Sequence, residues 1–286
     1  MLIGDSRLDG RKPLLGPGPA HAAIAVAVLL AGCTPERKED PQPPVEAPPP
    51  AAKAPATPPA LPAALSRADI LEAAAQAASA YALGASPAPD RKSLVGQRFE
   101  LRMPFGCAGP AKQNDSDQAS WRYGADGKTI RISVQPGDWT GTILARELGG
   151  PEAFERIEGY WIPRPWLLAA DCPTVRADPL QSGQSSPSPN TLGLVTLHEA
   201  GGSRLEGRGG RPYEVTLKTP EDNTRPAPQG YRLMLSGRIT GFPNGQAFHC
   251  RASSPDQRPV CILAVAIERV AIEEPSRGEV VGEWRN

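Results

Sequence analysis

Between Gln97 and Pro104 apolar and polar side chains alternate, with Phe99, Leu101 and Met103 set against Arg98, Glu100 and Arg102. A repeat of two sends successive side chains to opposite faces, so this stretch predicts a strand buried on one side. The same pattern holds Trp121 and Tyr123, and after a "GADGK" turn Ile130, Ile132 and Val134 oppose Thr129, Arg131 and Ser133. Those two runs predict a hairpin. Further strands are expected at "GYWIPRPWLLAA", "TLGLVTLHE", "PYEVTLKT", "YRLMLSGRITGF", "AFHCRA", "PVCILAVAIERVAI" and "EVVGEW". Residues Cys261 to Ile267 are apolar on both faces, which predicts the central strand of a sheet. Asn244 and Gly245 predict a hairpin turn leading into "AFHCRA", and "PEAFERIEG" predicts a helical turn or two.

Upstream of these strands the period changes. Ser66 precedes Ile70, Ala74, Ala77 and Tyr81 at helical spacing, Asp69 sits three residues after it, and Gly84 ends the run. Residues 65–84 therefore predict a helix with a capping box and a narrow small-residue stripe, suited to lying on a sheet face. The 196 residues from Arg91 to Asn286 suffice for one domain. Some ten short strands separated by Pro, Gly and Ser predict a mainly β fold, an antiparallel sandwich or partly open barrel with one N-terminal helix. No fixed-length repeat interrupts that reading.

Before the helix, residues 33–64 are a Pro- and Ala-rich linker in which Val45 and Leu61 are the only large apolar side chains of Pro35 to Pro62. Such a segment cannot build a core, and in extended polyproline geometry its 28 residues reach up to roughly 90 Å. Ahead of it Arg7, Arg11 and Lys12 lead into an uncharged run from Ala20 to Ala31. The order basic, apolar, small residue, cysteine is that of a secretion signal over residues 1–32, too short to remain as a span that needs roughly 20 apolar residues. Leu30, Ala31, Gly32 and Cys33 resemble the lipobox of bacterial lipoproteins. That resemblance implies cleavage before Cys33, a diacylglyceryl thioether on its sulfur and an acylated (palmitate-type) amino terminus. Two or more chains at about 0.8 kcal/mol per buried methylene make a stable anchor. Thr34, in place of Asp, implies sorting to the inner leaflet of the outer membrane, facing the periplasm.

Composition narrows the partners. Without residues 1–32 the chain keeps 28 basic and 29 acidic residues of its 31 and 31, which gives no basic surface for nucleic acid. The 34 prolines and 29 glycines point to long connections and many turns. With Cys33 acylated, Cys107, Cys172, Cys250 and Cys261 remain, and an even number in an exported chain predicts two disulfides. In "FHCRASSPDQRPVCILAV" a turn centred on Pro255 and Asp256 sets Cys250 opposite Cys261, so Cys107 pairs with Cys172 by elimination. A four-thiolate zinc site is disfavoured, because no C-x-x-C pair is present.

Catalytic signatures are missing from the sequence. "GQSSP" at Gly183 lacks the second glycine of a nucleophile elbow, "HEAGG" at His198 is not H-E-x-x-H, and Asp115 and Asp117 in "NDSD" lack the rest of a calcium loop. No metal or cofactor is expected. The densest unusual chemistry is "EGYWIPRPWLL", where Tyr160, Trp161 and Trp166 surround Arg164 between two prolines; such a segment could stack on a saccharide or grip an extended peptide. The function expected is therefore a membrane-anchored periplasmic module that binds cell-wall saccharide or another envelope protein, or serves envelope assembly through its stalk and helix. The alternative is a periplasmic hydrolase using His198 or His249 with a carboxylate such as Glu199.

Overall fold

The computed structural model describes residues 62–85, 94–112, 117–174, 189–201, 211–219 and 229–285, all within the unit Pro59–Asn286. Residues 1–61, with Cys33 and the expected signal and most of the expected linker, lie outside the described residues, as do Asp115 and Gly183. The described elements are α1 (Arg67–Ala82), β1 (Arg98–Phe105), β2 (Ala119–Tyr123), β3 (Thr129–Val134), β4 (Gly137–Asp138), α2 (Ile143–Glu147), α3 (Gly150–Ala153), β5 (Phe154–Trp161), β6 (Leu192–Glu199), β7 (Tyr213–Lys218), β8 (Tyr231–Ile239), β9 (Phe248–Arg251), β10 (Val260–Glu274) and β11 (Glu279–Arg285).

The fold is mainly β, as the alternation predicts. An 8-stranded sheet runs β1-β8-β10-β6-β5-β4, with β9 and β11 also on β10, and a 3-stranded antiparallel sheet runs β2-β3-β7. They do not close into a barrel. The larger sheet is mixed, because β6 runs parallel to β10 from Leu192/Cys261 to Val195/Ala264.

β10 is the hub. Its first half lies between β6 and β9 and its second half between β8 and β11. The turn at Asn244 and Gly245 forms, with Asn244 Oδ1 accepting from the Gln246 N–H, but β8 and β9 are not a hairpin. They lie end to end along one side of β10: the Thr240 N–H donates to the Ala264 carbonyl and the Ala264 N–H donates to the Ala247 carbonyl. Residues 240–247 are an excursion between two segments of one edge. A bulge at Glu268 shifts the β10 register and presses the Ala266 carbonyl onto Gly237, where any Cβ would overlap it.

The faces of β10 have different covers. Cys261, Leu263, Val265, Val270 and Ile272 join Phe99, Leu101, Trp121, Ile132 and Tyr231 in the main core, under α1 and the small sheet. Ile262 and Ala264 join a second core with Trp139, Phe154, Ile157, Val195 and Phe242, beside α2. Over the second half of β10 that reverse face carries ion pairs of alternating sign: Arg102 with Glu273 at 3.0 Å and Arg269 with Glu283 at 2.7 Å.

Helix α1 begins as read, with the complete capping box of Ser66 and Asp69. Ser66→Ala is expected to cost about 1 kcal/mol, measured by urea unfolding. The buried stripe is rotated, however. It runs through Arg67, Ile70, Leu71 and Ala74, leaving Tyr81 exposed at the far end.

Two expectations need correction in the same region. Helix ends at Ala153 and "FERIEG" is strand, because Phe154, Ile157 and Tyr160 pack into the cores while pairing with β6. The strand at "GYWIPRPWLLAA" stops at Trp161, since Pro163 and Pro165 cannot donate to a ladder.

Candidate functional site

On β5, Arg156, Glu158 and Tyr160 share one face, and on β6 Leu194, Thr196 and His198 face the same way, with Arg156 opposite His198 and Glu158 opposite Thr196. Leu194 and Tyr160 belong to the main core, so the row turns polar as the two strands run out from under the small sheet. β6 leaves β10 after Val195, and on that side of β10 the next strand partner is Arg285 of β11, opposite Arg269. The sheet therefore forks between residues 196–200 and 265–268.

A cleft of about 900 Å³ occupies the fork. Tyr160 and Tyr213 line it from the main core, and Phe154 and Phe242 from the second. The polar wall is a chain of charges. Arg156 Nη1 donates to Glu158 Oε1 at 2.9 Å, and Glu158 Oε2 lies 3.9 Å from His198 Nε2. The Glu158 carboxylate raises the pKa of Arg156, so this guanidinium stays charged and compensates Glu158. His198 Nε2 is buried and makes no hydrogen bond among the described residues. At the rim Glu268 pairs with Arg238 at 3.2 Å, while Glu152 and Glu199 have no cationic partner among the described residues. The cleft thus combines carboxylate acceptors with aromatic side chains that are themselves largely buried.

The two histidines do not converge. Each strand alternation sends His198 to the main-core face, whereas His249, opposite Ile262, points to the other. His249 Nε2 lies 3.4 Å from Glu147 Oε2 with the Phe242 ring at 5.9 Å, and burial pulls its pKa below the ordinary histidine value. The sheet stands between them. Among the described residues no group of three or more His, Cys, Asp or Glu is placed to hold a metal ion.

The four residues of "EGYWIPRPWLL" separate in the same manner. Tyr160 is buried and lines the cleft. Trp161 turns to the reverse face and packs against Trp139 with ring centroids 4.6 Å apart and planes tilted by 36°. The glycines Gly159 and Gly193 leave the room that Trp139 fills. Arg164, at φ 50°, folds inward so that its Nη2 donates to the Pro104 carbonyl at 2.9 Å and meets Cys107 Sγ at 3.6 Å. Trp166 is exposed.

Both disulfides are present. Cys250 faces Cys261 directly across the β9–β10 pair, and Cys107 joins Cys172. Glu152, Glu158, Tyr213, Phe242 and Glu268 are among the cleft residues that the sequence reading passes over. A strand reading of "ERIEGY" would have shown Glu158 on the same face as Tyr160, but Phe242 reaches the cleft only through the β8–β9 excursion. No helix among the described residues is long and apolar enough to cross a membrane. Compared with protein-family models, with curated proteins and with solved structures, the chain finds no match.

Proposed function

We propose that this chain is a bacterial envelope lipoprotein, with residues 1–32 as its signal, Cys33 as its acylated anchor and residues 33–64 as its stalk, whose β-rich domain over residues 91–286 binds cell-wall saccharide in the fork cleft without transforming it. The observation that carries the binding reading is the meeting in one cleft of Glu152 and Glu199, which have no cationic partner among the described residues, with the largely buried rings of Tyr213 and Phe242. Carboxylates accept hydrogen bonds from sugar hydroxyls, and the aromatic side chains give the cleft an apolar lining. The membrane half of the proposal rests on Leu30-Ala31-Gly32-Cys33. It places the domain on the periplasmic side of the outer membrane, within reach of the wall on its proline-rich stalk.

Titration calorimetry of the protein with soluble cell-wall saccharide fragments tests the binding half. Glu199→Gln is expected to weaken binding about tenfold, the equivalent of one lost charged hydrogen bond. Absence of binding heat by the parent protein overturns the proposal. Cys33→Ser is expected to move the chain from the membrane to the soluble fraction.

One observation favours the hydrolase alternative: His198 Nε2 is buried, without a hydrogen bond among the described residues, and 3.9 Å from Glu158. Against it stands the Arg156 ion pair, which occupies the carboxylate that would act as base or orienter. Release of sugar product by the parent chain, abolished by His198→Ala, would establish hydrolysis over plain binding.

A further inference from the structure

We infer that the segment around Trp166 and Leu168 is a membrane-contact surface that seats the tethered domain on an anionic bilayer; this rests on the acyl anchor at Cys33. The observation behind it is where the stalk enters the domain. Leu65 pairs with the outer edge of β1, its N–H donating to the Arg98 carbonyl and its carbonyl accepting from the Glu100 N–H, each at 2.8 Å. Two residues on, Arg67 Nε donates to the Leu167 carbonyl at 2.9 Å and Arg67 Nη2 to the Pro163 carbonyl at 2.9 Å. The segment that carries Trp166 and Leu168 is thereby fastened to the root of the stalk.

Those two side chains are 57% and 61% exposed. Single exposed apolar side chains are ordinary on a protein surface. These two differ because they flank one residue, Leu167, and stand at the point from which the anchor pulls. Leu83, by contrast, lies at the opposite end of α1, 16 residues or about 24 Å along the helix. Tryptophan favours the boundary between headgroups and acyl chains, and tethering raises the effective concentration so that a weak contact is populated.

The charge at this end has the matching sign. Arg164 donates to a carbonyl and a sulfur, so its charge is met by no carboxylate among the described residues, whereas Arg67 is buried and does not itself face the surface. Arg258 lines the same shallow hollow as Pro165. Of the acidic groups nearby, Asp171 is engaged by Arg232, while Asp69 keeps its charge within the capping box and offsets one of the two exposed-side arginines, Arg164 and Arg258. The balance is cationic and suits anionic headgroups.

The test uses the full mature protein reconstituted into vesicles of phosphatidylethanolamine and phosphatidylglycerol that contain bromine-labelled acyl chains, with tryptophan quenching as readout. Trp121 and Trp139 are buried and Trp161 and Trp284 half-buried, so the difference between the parent and Trp166→Ser is what reports Trp166. Parent protein is expected to be quenched, Trp166→Ser to lose that quenching by about threefold and Leu168→Ser by about twofold. Quenching as strong in Trp166→Ser as in the parent, or absent in the parent, overturns the inference. Equal quenching in phosphatidylcholine vesicles overturns the assignment to an anionic surface. Intact mass of the same sample reads the acyl groups on Cys33 separately: acyl groups without quenching sink this surface alone, and quenching without acyl groups sinks the anchor alone.

Discussion

Replacing Arg67 with methionine is expected to lower the unfolding free energy by about 3 to 4 kcal/mol, although a helix-end arginine ordinarily contributes a few tenths. Arg67 is only 4% exposed. Its guanidinium donates to the carbonyls of Leu167, Pro163 and Arg164 at 2.9 to 3.1 Å and to that of Arg102 at 3.4 Å. Methionine fills the stem and donates to none of them. Each orphaned carbonyl costs about 1 to 3 kcal/mol, a total of roughly 4 to 8 when water reaches some of them. Against this, burial and the neighbouring Arg164 pull the Arg67 pKa down to about 10, so losing the charge relieves a desolvation cost of roughly 3 kcal/mol. The carbonyls win because there are four of them and one charge.

Arg67→Lys keeps the charge but replaces the planar fork by a point donor, so an intermediate loss of about 2 kcal/mol is expected. Urea unfolding of the parent and both variants measures the order. A loss below about 1 kcal/mol in the methionine variant would remove Arg67 from its proposed role. A second consequence concerns the sheet edge. The outer edge of β1 is dressed by Leu65, by Arg67 on the Arg102 carbonyl and by Arg164 on the Pro104 carbonyl. Stripping it should raise self-association of the folded chain, since an uncovered edge is a template for strand addition.

Arg67 also shows where sequence reading ends. In the first turn of a helix that opens on a capping box, an arginine reads as solvated, and nothing local announces three carbonyls about a hundred residues away and a fourth 35 residues away. The β elements were legible because alternation is a local property: β1, the β2–β3 hairpin and the apolar first half of β10 all lie where the pattern puts them. Cys250 and Cys261 were legible for the same reason, a turn midway between them. The parallel pairing of β6 with β10 was not, because it joins segments some seventy residues apart with no shared motif. The cleft depends on that pairing and on where it stops. His198 was visible as chemistry, yet its carboxylate neighbour, Glu158, follows from register and not from sequence distance. Arg164 and Trp161 looked like one aromatic-cationic cluster, but two prolines end the strand and send each side chain to different surroundings.

Removing the Cys107–Cys172 disulfide by a double serine substitution is expected to cost about 4 kcal/mol, more than the same change at Cys250–Cys261. The separation is 65 residues in the first pair and 11 in the second. Loop-closure entropy gives roughly 4 kcal/mol for the longer loop and roughly 3 for the shorter. Folded-state contacts widen the gap. β9 and β10 are already joined by a ladder and a turn, so the chain holds Cys250 near Cys261 without the bond. Cys172 follows residues with no strand partner, held by Arg67, Arg164 and by Arg232 Nε on the Ala170 carbonyl at 3.0 Å. Its sulfur fits a notch at Gly230, a residue at φ 71° where a Cβ would meet both the Phe105 carbonyl and the disulfide. Serine at both positions leaves that notch half filled and lets the segment bearing Trp166 loosen. Guanidinium unfolding of the two double variants measures the ranking, and limited proteolysis between Trp166 and Cys172 should accelerate only when the longer bridge is gone. If the Cys250–Cys261 variant is the less stable of the two, the segment is held by its arginines and not by its sulfur.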